Sequence, residues 1–135
     1  MANSQTTARM LGLQRMVSKR KDCIGNVLSE RPAMNRDDGM ELMGFKPLSS
    51  GDELTAGAHL LALNAPADTA NDEGWISSVA YSPTLETSIG LGFVRQGHAR
   101  VGETLRAWDA LQGSDVHVEI VSPHFHDPDG ELLRA

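Results

Sequence analysis

From residue 40 onward, short apolar runs recur at the spacing of an antiparallel sandwich or barrel, each one closed by turn-forming residues. The runs fall at 41–47, 59–64, 75–81, 88–95, 104–108 and 116–121. Ser49-Ser50-Gly51-Asp52, residues 66–73, Ser82-Pro83, Gln96-Gly97, Gln112-Gly113-Ser114 and Asp127-Pro128-Asp129-Gly130 separate or follow them. No alternation of strand and helix follows residue 40, which argues against a parallel, doubly wound sheet. The pattern predicts a mainly β fold: an antiparallel Greek-key or jelly-roll-like barrel with one or two short amino-terminal helices.

Two runs carry more detail. In 116–121, Val116, Val118 and Ile120 alternate with His117, Glu119 and Val121, the period of a half-buried strand. In 88–95, Ile89, Leu91 and Phe93 share one face while Gly90 and Gly92 share the other with Val94, so another backbone is expected close to the glycine face. Before the barrel, Cys23, Ile24, Val27 and Leu28 follow helical spacing, with Asp22 as the expected cap and Pro32 as the stop. Gly25 inside costs about 1 kcal/mol of propensity, so this helix needs tertiary support. Residues 1–16 are expected as a flexible lead-in and residues 17–135 as the barrel domain.

Length fits one domain with a modest core. Twelve Lys and Arg against 18 Asp and Glu give a formal charge of −6, which excludes a nucleic-acid backbone as partner, since that needs a concentrated positive face. One cysteine excludes an internal disulfide and multi-cysteine zinc sites and points to the cytoplasm. The start, MANSQTTARM, has no signal-peptide core, and no apolar run approaches the ~20 residues of a membrane span.

Most chemical motifs reduce to structure. Gly90-Leu91-Gly92 lacks the third glycine and following helix of a dinucleotide fingerprint. His124 and His126 read as solvent-facing residues flanking a buried Phe125, because two imidazoles do not make a tight metal site. Cys23 follows three cations, which favours a thiolate, yet its apolar helical neighbours favour a buried hydrophobe. Ser77, Ser78 and Ser82 lack a nucleophile elbow. Asp127, Asp129 and Glu131 miss the calcium-loop pattern and read as a surface turn. Lys19, Arg20 and Lys21 remain: directly ahead of a helix start, they suit a carboxylate or phosphate, or form an ordinary solvated basic turn.

Three blocks carry a family resemblance. GWISSVAYSPTLETSIGLGFV, residues 74–94, resembles the strand, Ser-Pro corner and strand near the end of aminomethyltransferase-type (glycine cleavage T-protein-like), tetrahydrofolate-using proteins. VSKRKDCIG, residues 17–25, resembles the basic entry to that family's K-x-D-F-I-G helix, with Cys23 where the aromatic usually stands. VEIVSPHFHDPDGELLR, residues 118–134, resembles the terminal strand and turn of the alpha subunit of heterotetrameric sarcosine oxidases. The resemblance implies the closing barrel of such a subunit, as a fragment or stand-alone copy. Tetrahydrofolate would lie mostly in a preceding domain, with Lys19, Arg20, Lys21 and Arg134 bordering its carboxylate tail. The flavin and NAD of the parent complex would lie outside this chain, no catalytic or metal-ligating residue would lie in it, and its partners would be the upstream domain or other subunits. The parent reaction oxidises sarcosine to glycine and passes a one-carbon unit to tetrahydrofolate. Two alternatives are a β-barrel binding or assembly module without catalytic activity and a stand-alone hydrolase or metalloenzyme.

Overall fold

Inward-pointing apolar residues on six successive strands can share one interior when the sheet curls and closes. The computed structural model, which describes residues 6–132 and 134, shows that closure. The strands are β1 (Met40–Pro47), β2 (His59–Ala62), β3 (Gly74–Ser82), β4 (Thr87–Arg95), β5 (Thr104–Asp109) and β6 (Ser114–Val121). Around the barrel they run β1-β4-β3-β2-β5-β6, every pair is antiparallel, and β6 closes on β1. Three consecutive neighbours, β2, β3 and β4, with β1 laid beside β4, form a Greek key. Each strand lies within two residues of its expected bounds. β2 stops short of residue 64 because the Ala65 N–H donates to the Ala62 carbonyl at 3.0 Å and turns the chain.

Phe45, Leu60, Ile76, Val94, Leu105 and Ile120, one from each strand, are fully buried in a single core. Burying each contributes about 1.5–3 kcal/mol before the entropy of ordering it. The glycine face of β4 points into this core. A Cβ on Gly92 would lie 2.2 Å from the Trp75 carbonyl oxygen and 3.0 Å from the Phe45 ring, so the expected backbone approach is real there. At Gly90 the nearest atoms are instead the Leu54 and Ile76 side chains. A bulge between Ile76 and Ser78 bends β3, and the Ser77 hydroxyl donates to the Leu91 carbonyl at 3.0 Å, a structural task for that serine. Trp75 and Phe93, directly paired across β3 and β4, stack with ring centroids 5.4 Å apart.

The carboxy-terminal segment folds back over β1. Phe125 crosses Gly44, where a Cβ would come within 2.8 Å of its ring, and His124 and His126 are exposed on either side. Asp127, at φ 46°, accepts the Glu131 N–H at 2.8 Å and the Leu132 N–H at 3.2 Å, which makes the expected surface turn.

Ahead of the barrel, the structure departs from helical expectation in detail. A 3-10 turn at Gln14–Met16 precedes α1 (Asn26–Ser29), a single turn with Gly25 at its cap position and no side-chain cap. Asp22 therefore does not cap it. The apolar side of the segment is open, with Ile24 104%, Val27 73% and Leu28 51% exposed. Helix nucleation is offset only by burial of a face, and nothing among the described residues covers this one. The lead-in is nonetheless fastened to the barrel: the Leu42 N–H donates to the Met10 carbonyl at 2.7 Å. Among the described residues no helix is long and apolar enough to cross a membrane.

Candidate functional site

Two adjoining cavities open in the lead-in, the region that holds the basic residues singled out in the sequence. One, of about 400 Å³, is lined by Arg9, Gln14, Ser18, Lys19, Asn26 and Asn35, among others. The other, of about 480 Å³, has Met16, Val17, Cys23, Leu28 and Met34 on its walls and shares Ser18 and Asn26 with the first. Local hydrogen bonds shape the rim: the Arg9 guanidinium donates to the Asn35 side-chain oxygen at 2.5 Å, and the Ser18 hydroxyl accepts the Arg20 and Lys21 N–H groups, each at 3.2 Å.

This geometry revises the anion site read from sequence. The free N–H groups expected at a helix start are not behind the cations, because α1 begins at Asn26 and the Arg20 and Lys21 amides are already bonded to Ser18. Lys19 lines the first cavity; Arg20 and Lys21 are exposed beside it and do not. None of the three has an ion-pair partner among the described residues. Arg134 lies in the carboxy-terminal tail, exposed, with its guanidinium donating to the Asp129 carbonyl. It lines neither cavity. Cys23 is half-buried on the wall of the second cavity, its thiol 3.5 Å from the Lys21 carbonyl, rather than packed in a core.

Two features of this region were not read from the sequence. Arg9 and Gln14 lie in the lead-in, where the sequence shows no motif, yet they complete the polar wall around Lys19. Charge counted by segment would have drawn attention there: residues 1–36 hold seven basic and two acidic side chains, whereas residues 37–135 hold five basic and sixteen acidic. An overall charge of −6 conceals a basic lead-in attached to a strongly acidic barrel.

On the barrel itself, charged groups are engaged in fixing loops. Arg100 bonds Glu73 at 2.8 Å and Glu103 at 2.7 Å, and Arg106 bonds Asp115 at 2.7 Å. The bond from Arg100 holds the Glu103 carboxyl below its usual range, as Arg106 does for Asp115. His59 sits 3.0 Å from Asp72 on the outside of the sheet. Among the described residues no three His, Cys, Asp or Glu side chains converge as a metal site.

The arrangement is thus a closed structural barrel with a basic, cavity-bearing segment on one side. Residues 41–127 match the family model for the glycine cleavage T-protein C-terminal barrel domain. The chain is similar to sarcosine oxidase subunit alpha of Rhizobium meliloti (strain 1021), 37% identical over 126 residues that make up 93% of this chain and 13% of that protein. It is 32% identical to sarcosine oxidase subunit alpha of Corynebacterium sp. (strain U-96), over 92% of this chain and 13% of that relative. The chain therefore spans about an eighth of the length of these relatives, and the 126-residue match necessarily includes the Lys19 to Cys23 segment. In three dimensions it resembles the crystal structure of glycine cleavage system aminomethyltransferase T from Bartonella henselae, with a TM-score of 0.58 over 87% of this chain and 31% of that one, at 20% identity; that likeness concerns the fold.

Proposed function

Because this chain belongs to the glycine cleavage T-protein C-terminal barrel family, we propose that it serves as the closing barrel of a sarcosine oxidase alpha-type protein and borders the tetrahydrofolate site there. In this role it has no complete active site of its own. The flavin, the NAD and the residues that carry out sarcosine oxidation and one-carbon transfer lie elsewhere in the cytoplasmic complex, on the preceding domain and other subunits. Lys19, Arg20, Lys21 and, from the opposite end of the chain, Arg134 face the carboxylate tail of the folate.

The observation that carries this reading is that similarity to the sarcosine oxidase relatives runs through the basic segment as well as the barrel, over 93% of the chain. Ammonium and guanidinium groups without ion-pair partners, beside a cavity of about 400 Å³ whose wall holds Arg9 and Lys19 against one carboxylate, Glu30, are suited to a flexible dicarboxylate tail. Each exposed contact of this kind is worth up to about 1 kcal/mol.

Calorimetric titration of tetrahydrofolate, with the chain alone and with the preceding region of the Rhizobium meliloti relative added, tests the reading. Arg20→Ala with Lys21→Ala is expected to weaken binding about three- to tenfold, and the chain alone is expected not to oxidise sarcosine. Unchanged affinity in the double variant would remove the basic segment from the folate site, and turnover by the isolated chain would end the reading. A second reading, a binding or assembly module without catalysis, is favoured by the closed strand order, which needs no strand from another domain.

A further inference from the structure

We infer that the open apolar surface of the lead-in, made by Met16, Ile24, Val27 and Leu28 with the cavity that Met16 and Leu28 line, is where the preceding part of a longer sarcosine oxidase-type chain docks, through a surface with an apolar centre and an acidic rim. This rests on the reading of the chain as one region of a longer protein and adds to it which face is covered and by what chemistry.

Three observations carry it. Ile24, at 104% exposure, Met16, at 80%, Val27, at 73%, and Leu28, at 51%, are open to solvent on one short segment, and Met16 and Leu28 also line a cavity with Val17 and Met34. Apolar side chains clustered in this way mark an interaction surface rather than scattered surface residues. The rim is basic: Lys19, Arg20 and Lys21 are exposed without ion-pair partners among the described residues, in a segment with seven basic and two acidic side chains. An acidic partner surface is the electrostatic complement and would also be steered toward it. The occupant follows from length: the relatives match through this segment, yet this chain covers 13% of them, so in them a large covalently attached partner is always at hand. Attachment raises its effective concentration to the millimolar range, above that of a second copy of this chain at ordinary protein concentrations.

The contrast with the barrel wall makes the inference specific. Tyr81 on β3 is 66% exposed, and its surroundings belong to the acidic part of the chain. Docking is assigned to the lead-in and not to this wall.

The test uses the full 135-residue chain and a separately produced partner, the Rhizobium meliloti subunit alpha without its own barrel region. Sedimentation velocity and calorimetry are expected to show association that weakens as salt is raised to 0.5 M, roughly a Debye length of 4 Å. Ile24→Glu with Leu28→Glu is expected to weaken association at least tenfold, and Lys19→Glu with Lys21→Glu several-fold. Tyr81→Glu is expected to leave it unchanged. The substituted side chains are exposed, and an unchanged urea midpoint for each variant separates lost docking from lost folding. A maleimide on Cys23, the single cysteine and a wall residue of that cavity, is expected to react more slowly in the complex. The inference is overturned by absence of association, by lead-in variants that bind as the parent chain does, or by loss of binding in Tyr81→Glu. Self-association of the chain that disappears in the Ile24 and Leu28 variant would also overturn it, because the occupant would then be a second copy. Docking through the lead-in with no effect on tetrahydrofolate binding would end the folate reading while leaving this interface standing. Tetrahydrofolate binding that Arg20→Ala with Lys21→Ala weakens, while the lead-in variants associate as the parent chain does, would do the reverse.

Discussion

Gly92 has no space for even one methyl group. An added Cβ would lie 2.2 Å from the Trp75 carbonyl oxygen and 2.9 Å from the Ile76 Cα, and those are backbone atoms of the neighbouring strand that move only if the barrel deforms. Gly92→Ala is expected to cost about 2–3 kcal/mol, the upper end for overpacking a core, seen as a lower urea midpoint with an unchanged slope. Gly51→Ala is the matched control, since nothing lies within 4 Å of its Cβ position. It should stay within about 0.5 kcal/mol of the parent. The period-2 spacing of Gly90 and Gly92 made this close approach legible in the sequence. The identity of what fills the space did not follow, because the Phe45 ring comes from β1, far away along the chain, and only the Greek-key pairing of β1 with β4 brings it there. Cys23 departs from its expected burial for a related reason: its apolar neighbours point to a core, but among the described residues nothing covers Ile24, Val27 and Leu28.

Arg100 works at the scale of elements. Its guanidinium reaches Glu73 just before β3, the Arg95 carbonyl at the end of β4 and Glu103 just before β5, so one side chain ties three strand ends together. With 17% of the side chain exposed, the cluster is better shielded than an ordinary surface pair. Arg100→Met is expected to destabilise the barrel by about 1–2 kcal/mol at pH 7, the cost of leaving its acceptors unpaired, discounted because Glu103 is largely open to water. The bond from Arg100 lowers the Glu103 pKa from an ordinary value of 4.5. A depressed carboxylate contributes stability that is present above its unfolded value and is lost as pH falls through the folded one. The difference between the parent and Arg100→Met, measured by urea unfolding, should therefore shrink from pH 6 to pH 3; a difference that grows on acidification would show that Glu103 is not held by Arg100. Strand ends of this sort were legible to within two residues, because Gly, Asp, Ser and Pro mark turns by backbone preferences that hold in any context. The helix was legible only in outline. Spacing at Cys23, Ile24, Val27 and Leu28 gives the apolar face, but how far a helix extends depends on what that face meets.

For the molecule as a whole, the charge division and the strand order lead to a single expectation about which part is self-sufficient. Every barrel strand has two neighbours, so the ladder is complete within residues 40–121, and the lead-in adds to β1 the bond between the Leu42 N–H and the Met10 carbonyl. Loss of one such bond costs about 0.5–1.5 kcal/mol, a decrease in Tm of roughly 4–8 °C per kcal/mol for a domain of this size. A chain of residues 37–135 is thus expected to unfold in one cooperative calorimetric transition, a few degrees below the full chain. Its formal charge is then −11, from five basic and sixteen acidic residues, and it should elute from an anion exchanger at higher salt. Removing residues 114–135 instead takes away β6 and leaves β1 and β5 as open edges with half of their pairing gone. Unpaired edges next to an exposed core favour aggregation over folding, so that chain is expected to show no cooperative transition. The opposite outcome, a lead-in deletion that unfolds while the β6 deletion survives, would mean that the basic segment nucleates the fold. In that case its open apolar side chains would have to be sought in the core of the isolated chain rather than at a boundary with a larger partner.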